Sequence, residues 1–440
     1  MEMQLNMKSE ETSTETQMVI HDGYKLTELG EIPEDWQCVQ LGEIGQCIIG
    51  LTYSPQNISD SGILVLRSSN VQNGKLTYED NVFVNMELPE RVIVKKGDIL
   101  ICVRNGSRQL IGKCALIDQK AEGFAFGAFM SIYRTSAHDY IFYQFQSNLI
   151  QNQINETMGA TINQITNKDL SSFKIPIPNC VEEQKAIANV LSDTDALITE
   201  LEQLITKKQA IKTATMQQLL TGRTRLPQFS KYADGVLKGY KNSELGIIPA
   251  DWDTKQLGQL VDIFSGESPS KYKFQTSGIP YFKVEQLNNS SVYAEITPYF
   301  INARKIVQSG SVIFPKRGAS ILSNKIRVLR HDSFMDTNLM TLTCSSELDS
   351  LYLCNQLTYR GLDSVADTTS IPQINNKHII PYIIPLPPKE EQTAIATILS
   401  DMDAELTALE RKLVKVRDIK QGIMQQLLTG RIRLPLDQQS

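Results

Sequence analysis

Residues 182–227 read EEQKAIANVLSDTDALITELEQLITKKQAIKTATMQQLLTGRTRLP, and residues 390–435 read EEQTAIATILSDMDAELTALERKLVKVRDIKQGIMQQLLTGRIRLP. About 28 of the 46 positions are identical without a gap. A shorter repeat precedes each stretch: residues 29–45 read LGEIPEDWQCVQLGEIG, and residues 245–261 read LGIIPADWDTKQLGQLV. A period of about 200 residues is too long for a solenoid or a propeller. The sequence therefore predicts two related halves, each consisting of a domain and a helix.

The long repeat has the pattern of a coiled-coil helix. Apolar residues recur in both copies at alternating spacings of four and three, for about three heptads in the second copy. Gly222 and Gly430 follow the pattern, as expected of glycines that end helices. We predict that the two helices pair; packing of each helix on its own domain is the alternative. The residues assigned to this seam are Ile187, Leu191, Ile198, Leu201, Ile205, Ile395, Leu399, Leu406, Leu409 and Leu413.

The segments between the repeats are predicted to form strand-rich domains. Short apolar runs bounded by Gly, Asn or Ser, such as Gly62–Leu66, Asp98–Val103 and Cys114–Ile117, are typical of strands. Two prolines within four residues occur at Ile175–Pro178 and again at Ile384–Pro387. We expect these prolines to stop regular structure before each helix begins.

Composition limits the class of protein. The 440 residues have room for two or three domains, and 41% hydrophobic content is ordinary for a globular chain. No apolar run approaches the roughly 18 residues of a membrane span, and the N-terminus lacks the pattern of a secretory signal. Seven cysteines without a CxxC pair fit reduced thiols. We therefore expect a cytoplasmic protein that does not enter a membrane.

The charge is unevenly distributed along the chain. The net charge is −5, which is unusual for a protein that binds nucleic acid. Nevertheless, Ile296–His331 contains seven cations and no acidic residue, and Arg91–Lys113 contains six cations against Asp98 alone. One basic patch in each half suggests two phosphate-facing surfaces. The alternative is a solvated loop face whose charge is balanced by acids nearby in the fold.

Motifs for catalysis and cofactor binding are missing from the sequence. None of the four histidines is spaced from another histidine or a cysteine as metal ligands are. Gly106–Lys113 resembles a phosphate-binding loop, but five residues rather than four separate its glycines. No GxGxxG loop for a methyl-donor cofactor is present. We therefore expect a chain that is not an enzyme, has no metal site and binds no cofactor.

The order of motifs resembles the specificity subunit of type I restriction–modification systems, over about residues 24–435. The resemblance rests on motifs that occur once in each half: the IPxDW openings (Ile32–Trp36, Ile248–Trp252), the segments GDILICVRNGS (Gly97–Ser107) and GSVIFPKRGAS (Gly310–Ser320), the IPIP and IPLP runs, the EEQ helix starts and the MQQLLTGR helix ends. It implies that each strand-rich domain is a target recognition domain that reads one half of a bipartite, asymmetric sequence in double-stranded DNA.

The resemblance also implies partners. The paired helices would form a spacer that docks two modification (methyltransferase) subunits. These subunits would bind S-adenosylmethionine and methylate adenine N6, and restriction/translocase subunits would use ATP and Mg for translocation and cleavage. The predicted fold is α+β, with two tandem mixed α/β target recognition domains, each followed by a long helix, and the two helices paired as an antiparallel coiled coil.

The predicted domain boundaries follow the repeats. They are 1–23 for a disordered N-terminal tail, 24–180 for target recognition domain 1, 181–222 for spacer helix 1, 223–240 for a linker, 241–388 for target recognition domain 2, 389–430 for spacer helix 2 and 431–440 for a C-terminal tail.

Candidate DNA-binding residues lie in the basic turns and in nearby polar clusters. Arg104 and Arg317 are the strongest candidates, because arginine can donate two hydrogen bonds to a guanine edge. The full set is Arg104, Asn105, Arg108, Lys113, Arg67, Asn70, Thr161, Gln164, Lys316, Arg317, Ser320, Lys325, Lys283 and Gln373. The rival prediction, supported by the acidic net charge, is a coiled-coil scaffold that bridges other proteins without binding DNA. A stand-alone methyltransferase would need the cofactor loop that the sequence lacks.

Overall fold

The computed structural model describes residues 20–159, 163–288, 291–303, 305–367 and 371–435. The chain divides into two compact units: unit 1 is Met1–Ile198 with Val416–Ser440, and unit 2 is Thr199–Lys415. Each unit therefore contains one strand-rich domain, the beginning of the long helix that follows this domain, and the end of the other long helix.

Unit 1 is built around a four-stranded antiparallel sheet. Its elements are β1 (Tyr24–Thr27), β2 (Gly30–Pro33), β3 (Trp36–Gln40), α1 (Leu41–Ile44), β4 (Gln46–Ile49), β5 (Ile58–Ser59), β6 (Ile63–Leu66), β7 (Val71–Gln72), β8 (Lys75–Leu76), β9 (Phe83–Val84), β10 (Ile99–Cys102), β11 (Cys114–Leu116), β12 (Ala125–Phe126), β13 (Met130–Arg134), α2 (His138–Gln146), α3 (Asn148–Thr157), α4 (Asn167–Ser172), β14 (Lys174–Pro178) and the start of α5 (Val181–Leu220). The main sheet has the order β11-β10-β13-β4, and a second sheet has the order β12-β6-β9-β5.

Unit 2 has a corresponding sheet. After the end of α5, its elements are β15 (Tyr240–Ser243), β16 (Gly246–Pro249), β17 (Asp253–Gln256), β18 (Val261–Ser265), β19 (Ile279–Phe282), β20 (Tyr293–Ala294), β21 (Phe300–Ile301), β22 (Val312–Pro315), β23 (Arg327–Leu329), β24 (Phe334–Met335), β25 (Leu339–Cys344), α6 (Ser350–Arg360), α7 (Asn376–Ile379), β26 (Ile383–Leu386) and the start of α8 (Lys389–Leu427). The main sheet has the order β18-β25-β22-β23-β20, and β21-β19-β24 forms the smaller sheet.

The main sheets of the two domains share the order of four strands although their sequences have diverged, and the sheet of unit 2 has β20 as a fifth strand. The order β11-β10-β13-β4 in unit 1 matches β23-β22-β25-β18 in unit 2, and in each unit the strand preceding the basic turn, β10 or β22, is an inner strand. All four residues of β10 and all four of β22 are buried. A strand that is covered on both faces is apolar throughout, so both strands are suited to an inner position. The basic turns therefore start from a rigid part of each domain.

The prediction that prolines stop regular structure before each helix is wrong. Lys174–Pro178 forms strand β14, which pairs with β3, and Ile383–Leu386 forms β26, which pairs with β17. Pro176 and Pro178 are two residues apart, so their missing N–H groups lie on the same side of the strand. Each of these sheets has only two strands, and one edge of each strand therefore needs no ladder bond.

The beginnings of the long helices are parts of the domain cores. Ile187 and Leu191 of α5 are at most 1% exposed within the core of unit 1, and Ile395 and Leu399 of α8 are fully buried within the core of unit 2. These four side chains are therefore unavailable to another protein, and their place in a seam between the two helices stays a prediction. Of the remaining seam residues, Leu201 and Leu406 are buried, and Ile198, Ile205, Leu409 and Leu413 are half-buried.

The repeated MQQLLTGR segment ends each helix against a domain core. Met216, Leu219 and Leu220 of α5 belong to the core of unit 2, and the core of unit 1 contains Met424, Leu427 and Leu428 of α8. The helices end just before Gly222 and Gly430, which both have a φ of 71°. A β-carbon at Gly222 would lie 2.5 Å from Pro249. The repeat is therefore explained by packing and by the need for glycine.

The predicted linker and tails include ordered residues. Within 223–240, Lys231 and Leu237 form an isolated bridge and Lys238 binds Asp251 at 2.7 Å. In the C-terminal segment, Arg433 forms ion pairs within unit 1. Residues 1–19 and 436–440, which contain most of the predicted N-terminal tail and half of the predicted C-terminal tail, lie outside the described residues.

Candidate nucleic-acid interface

Three segments that are distant in sequence meet in unit 1 beside the end of β10. The backbone of Arg104 forms an isolated antiparallel bridge with Gln164. The Asn105 side chain donates to Ser68 Oγ at 3.0 Å, and the Asn105 backbone N–H donates to the carbonyl of Asn163 at 3.3 Å. The fold therefore joins candidates from three predicted clusters in one surface, here called loop surface 1 and defined as residues 67–70, 104–113 and 163–164.

Arg104 lies exposed on loop surface 1. Its guanidinium carbon lies 5.2 Å from the centre of the Phe129 ring, and its backbone N–H donates to the carbonyl of Phe129 at 3.1 Å. Among the described residues, no carboxylate forms an ion pair with Arg104. Its positive charge is therefore available to an anionic or acceptor-rich ligand.

The other cations of loop surface 1 have partners within the domain. Arg108 donates to the carbonyl of Asn155 in α3 at 2.9 Å, and Lys113 donates to the carbonyl of Ser68 at 3.4 Å. Arg67 forms an ion pair with Asp80 at 2.9 Å in which both side chains are partly exposed. An exposed ion pair contributes little stability, so a phosphate could replace Asp80 as the partner of Arg67.

Asn70 is not a DNA contact. Its side chain is fully buried; its carbonyl oxygen accepts from the backbone of Arg67, and its amide donates to the carbonyls of Thr77 and Asp80. These bonds hold the segment after β6 in shape and leave no exposed atom for a base. Another candidate, Thr161, lies outside the described residues.

Unit 2 forms a corresponding surface beside the end of β22. Arg317 pairs with Gln373 in an isolated antiparallel bridge. The N–H of Gly318 donates to the carbonyl of Pro372 at 2.8 Å, and the N–H of Ile374 donates to the carbonyl of Lys316 at 2.9 Å. We call this surface loop surface 2 and define it as residues 283–286, 316–325 and 372–375. Arg317 is exposed, and within the described ranges it forms no ion pair.

Two lysines of loop surface 2 interact electrostatically with one buried carboxyl. Burial and the neighbouring Arg317 lower the pKa of Lys316, with a small opposing effect from Asp336. Burial raises the pKa of Asp336, and Lys283 partly offsets this. The Lys283 ammonium lies 3.7 Å from the centre of the Tyr299 ring. Lys283 thus contacts an aromatic ring, and Lys316 lies partly buried beside Arg317.

The remaining candidates in unit 2 lie in adjoining turns. Ser320 is in the 3-10 turn Ala319–Ile321. Lys325 is half-buried and follows Asn324, whose side chain donates to the carbonyl of Thr358 at 2.8 Å. The Gln373 side chain donates to Asn375 at 3.2 Å. The hydrogen bonds of the described residues do not join Ser320 or Lys325 to the Arg317–Gln373 bridge.

Phe129 and Asn338 occupy equivalent places that sequence reasoning missed. The carbonyl of Phe129 accepts from Val103 at 3.0 Å, and the carbonyl of Asn338 accepts from Lys316, the residue equivalent to Val103, at 2.8 Å. Phe129 is 57% exposed and belongs to the run GFAFGAFMS. The sequence did contain a signal for Phe129, because an aromatic residue there follows small residues and precedes a strand. The two loop surfaces thus share a backbone frame but differ in chemistry.

A second pair of equivalent clusters lies at the helix ends. In unit 2, Arg225, which follows α5, binds Glu391 at 2.7 Å and Asp251 at 2.8 Å. The indole N–H of Trp252 donates to the same Glu391 at 3.0 Å. Burial raises the pKa of Asp251, but hydrogen bonds from Arg225 and Lys238 outweigh it and leave this pKa below its ordinary value.

Unit 1 has the same cluster at the end of α8. Arg433 binds Glu183, and it binds Asp35 at 2.8 Å, while Trp36 donates to Glu183 at 3.3 Å. The hydrogen bond from Arg433 lowers the pKa of Asp35. Sequence reasoning missed both clusters, although the Asp, Trp, Glu and Arg positions recur in both copies of the repeats. In each unit, the cluster ties the end of one long helix to the start of the other.

The described residues show neither a metal site nor a membrane span. No group of three or more His, Cys, Asp or Glu side chains in the described ranges could hold a metal ion. No helix in the same ranges combines the length and the apolar character needed to cross a membrane.

Comparisons with known proteins agree on one family. The model of the type I restriction modification DNA specificity domain matches residues 33–213 and 249–416. The chain is 28% identical to a protein of Methanocaldococcus jannaschii described as a type I restriction enzyme MjaX specificity subunit, covering 94% of this chain and 97% of that one. It is 25% identical to the type I restriction enzyme EcoKI specificity subunit of Escherichia coli, covering 92% and 90%.

Solved structures have the same fold. The type I restriction-modification system S subunit from M. genitalium matches with a TM-score of 0.55 and 16% identity, covering 89% of this chain and 96% of that chain. A chain from a structure on complex assembly and conformational transition of the type I R-M system also matches with a TM-score of 0.55, at 20% identity, covering 91% and 99%. The chain therefore belongs to the family of type I restriction–modification specificity subunits.

Proposed function

We propose that this chain is the non-catalytic, DNA-reading subunit of a type I restriction–modification complex and recognises a bipartite, asymmetric sequence in double-stranded DNA. The observation that carries the proposal is the pair of bridges Arg104–Gln164 and Arg317–Gln373, at equivalent places in the two units. Arginine can pair with the O6 and N7 atoms of guanine, and glutamine with the N6 and N7 atoms of adenine. Each loop surface thus has residue types suited to reading base edges.

The differences between the loop surfaces support an asymmetric target. In unit 1, Arg104 lies over an exposed aromatic ring, whereas in unit 2 the equivalent position is Asn338, beside Lys316 and Arg317. An apolar ring suits a thymine methyl group or a stacked arginine, whereas amide and ammonium groups suit hydrogen-bonding edges. Each unit would therefore prefer a different half of the target.

We further propose that α5 and α8 pair as an antiparallel coiled coil. In unit 2, Lys208 binds Glu405 at 2.6 Å, and Lys212 binds Asp403. Residue numbers rise along one helix as they fall along the other, which is the relation expected for antiparallel helices. In unit 1, Lys420 binds Asp195 at 2.7 Å. A continuous helix of 40 residues would extend about 60 Å at about 1.5 Å per residue.

The proposed partners would dock on exposed parts of the helices. Large apolar side chains are partly exposed along both helices, between 38% and 56%, at Leu197, Leu204, Ile211, Val414 and Ile419. Exposed apolar side chains that recur along one element suit a protein interface. We propose that two modification subunits, which would bind S-adenosylmethionine, dock there in the cytoplasm. Restriction/translocase subunits that use ATP and Mg would join the same complex.

Salt dependence tests DNA binding against the protein-scaffold alternative that the net charge of −5 favours. The full-length chain would be titrated with duplexes of randomised sequence at about 50 and 200 mM salt. Two phosphate contacts alone should weaken binding about tenfold over this range. A chain that binds no duplex, or binds independently of salt, would contradict the proposal and favour the scaffold.

A further inference from the structure

Phe129 is an exposed aromatic residue on an otherwise polar surface. Its side chain is 57% exposed, although it stands directly before the buried strand β13. Its carbonyl accepts hydrogen bonds from the N–H groups of both Val103 and Arg104, at 3.0 and 3.1 Å. The ring is therefore attached to backbone that is fixed relative to the backbone of Arg104.

The ring and the backbone bridge restrict the Arg104 side chain from two directions. The antiparallel bridge with Gln164 fixes the backbone from which the side chain starts, and the Phe129 ring lies under the guanidinium, 5.2 Å away. A long arginine side chain would otherwise lose much rotamer freedom on binding a base. A ring that already orders it reduces this loss.

Stacking leaves the hydrogen-bonding edge of arginine available. A guanidinium stacks through its planar face, whereas its N–H donors lie in the plane and point outward from the edge. A guanidinium stacked on an aromatic ring therefore keeps its donors free for two parallel hydrogen bonds to a guanine. A carboxylate partner would compete, and none binds Arg104 among the residues that the structure describes.

We propose that Phe129 is a positioning residue that acts through Arg104. It sets base discrimination by unit 1 and has no effect on base discrimination by unit 2. This inference rests on the proposed DNA-reading function. Unit 2 carries Asn338 at the equivalent place, so its half of the target should not depend on Phe129.

The test is selection of preferred sequences from a pool of randomised duplexes by the full-length chain and its variants. Phe129→Leu keeps apolar volume but removes the aromatic face. It should lower discrimination at one guanine position of one half-site about two- to fivefold, which is the range for an exposed cation–π contact. Phe129→Tyr keeps the face and should restore the wild-type preference. Thermal unfolding should change little, because the ring is exposed.

A double-mutant cycle separates this role from a general one. In the Arg104→Ala background, Phe129→Leu should have no further effect on base preference. An equal effect with and without Arg104, or no effect in either, would overturn the positioning role. If Arg104→Ala left the base preference unchanged, the positioning role of Phe129 would also be overturned. The proposed function would then still be tested by the base preference of unit 2 and by the salt dependence of binding. A wild-type chain that selects no sequence would overturn both.

Discussion

Arg317 is exposed beside Gln373 on loop surface 2. Arg317→Ala should relax base preference in one half of the target, because a two-donor contact with guanine contributes about 1–3 kcal/mol of discrimination. The other half should keep its preference. Sequencing of methylated adenines in cells that carry the variant and its partners would measure both halves.

Arg104→Ala is the matched control for Arg317→Ala. It removes an exposed arginine from the equivalent position of unit 1, so it should relax the half that Arg317→Ala leaves intact. Loss of both halves in either variant would contradict the assignment of one half-site to each unit.

The exposure of single candidate residues was predictable to different degrees. Arg104 and Arg317 could be chosen because each follows an apolar strand within a basic run. Asn70 could not be rejected from sequence, since only tertiary bonds to Arg67, Thr77 and Asp80 turn its side chain inward. Residue type in a turn thus indicates which chemistry is possible, and burial decides whether it reaches the surface.

At the scale of elements, Arg225 joins the end of α5 to the start of α8 and to the turn before β17. Its side chain is 5% exposed and that of Glu391 is 1% exposed. Arg225→Ala should lower the free energy of unfolding by about 3–5 kcal/mol, because it leaves a buried carboxylate without its partner. Unit 2 can be followed by the fluorescence of Trp252 in urea once Trp36, the only other tryptophan, is replaced by phenylalanine.

Two variants control for this result. Arg225→Ala combined with Glu391→Gln should recover part of the lost stability, because the neutral amide costs less to bury. Arg433→Ala, followed in unit 1 by the fluorescence of Trp36 once Trp252 is replaced by phenylalanine, should cost less than Arg225→Ala, because the Arg433 side chain is 39% exposed and water can replace it. If Arg225→Ala and Arg433→Ala lowered the free energy of unfolding equally, burial of the arginine would not determine the loss of stability.

The same cluster predicts a dependence on pH. The pKa of Asp251 in the folded chain lies below its ordinary value of 3.8. Its ionised form therefore stabilises the fold fully above the ordinary pKa, and this contribution is lost as the pH falls through the lower folded value. Urea midpoints of the wild type should fall more steeply below about pH 4 than those of Asp251→Asn. If the urea midpoints of the wild type and of Asp251→Asn changed in parallel with pH, the link between stability and the ionisation of Asp251 would be contradicted.

Sequence patterns predicted the positions of strands and helices along the chain better than they predicted which elements pair. The runs chosen as strands, Gly62–Leu66, Asp98–Val103 and Cys114–Ile117, correspond to β6, β10 and β11 with shifts of one residue at their ends. The strands β14 and β26 were missed, because local proline statistics contain no information about which edge of a strand lacks a partner. The burial of the helix starts in the domain cores was not predicted, because a heptad pattern does not distinguish packing on a partner helix from packing on a domain.

At the scale of the whole molecule, the proposed coiled coil would act as a spacer between two half-sites. Because each helix end is tied to the start of the other helix through Arg225–Glu391 and Arg433–Glu183, lengthening one helix alone would strain a tie. Four residues should therefore be inserted in both helices, after Leu201 in α5 and near Leu413 in α8. The ion pairs Lys208–Glu405 and Lys212–Asp403 place these two positions opposite each other in the proposed pair.

The insertion should lengthen the spacer by about 6 Å and widen the unspecified gap of the target by one or two base pairs, while both half-sites keep their sequences. Four inserted residues do not fill a heptad and would shift the apolar seam of the helices. A variant with seven inserted residues in each helix preserves the heptad phase and therefore controls for a disrupted seam. That variant adds about 10 Å and should widen the gap further. Sequencing of methylated adenines would read the gap directly. If both variants methylate the original target with its original gap, the helices do not set the spacing.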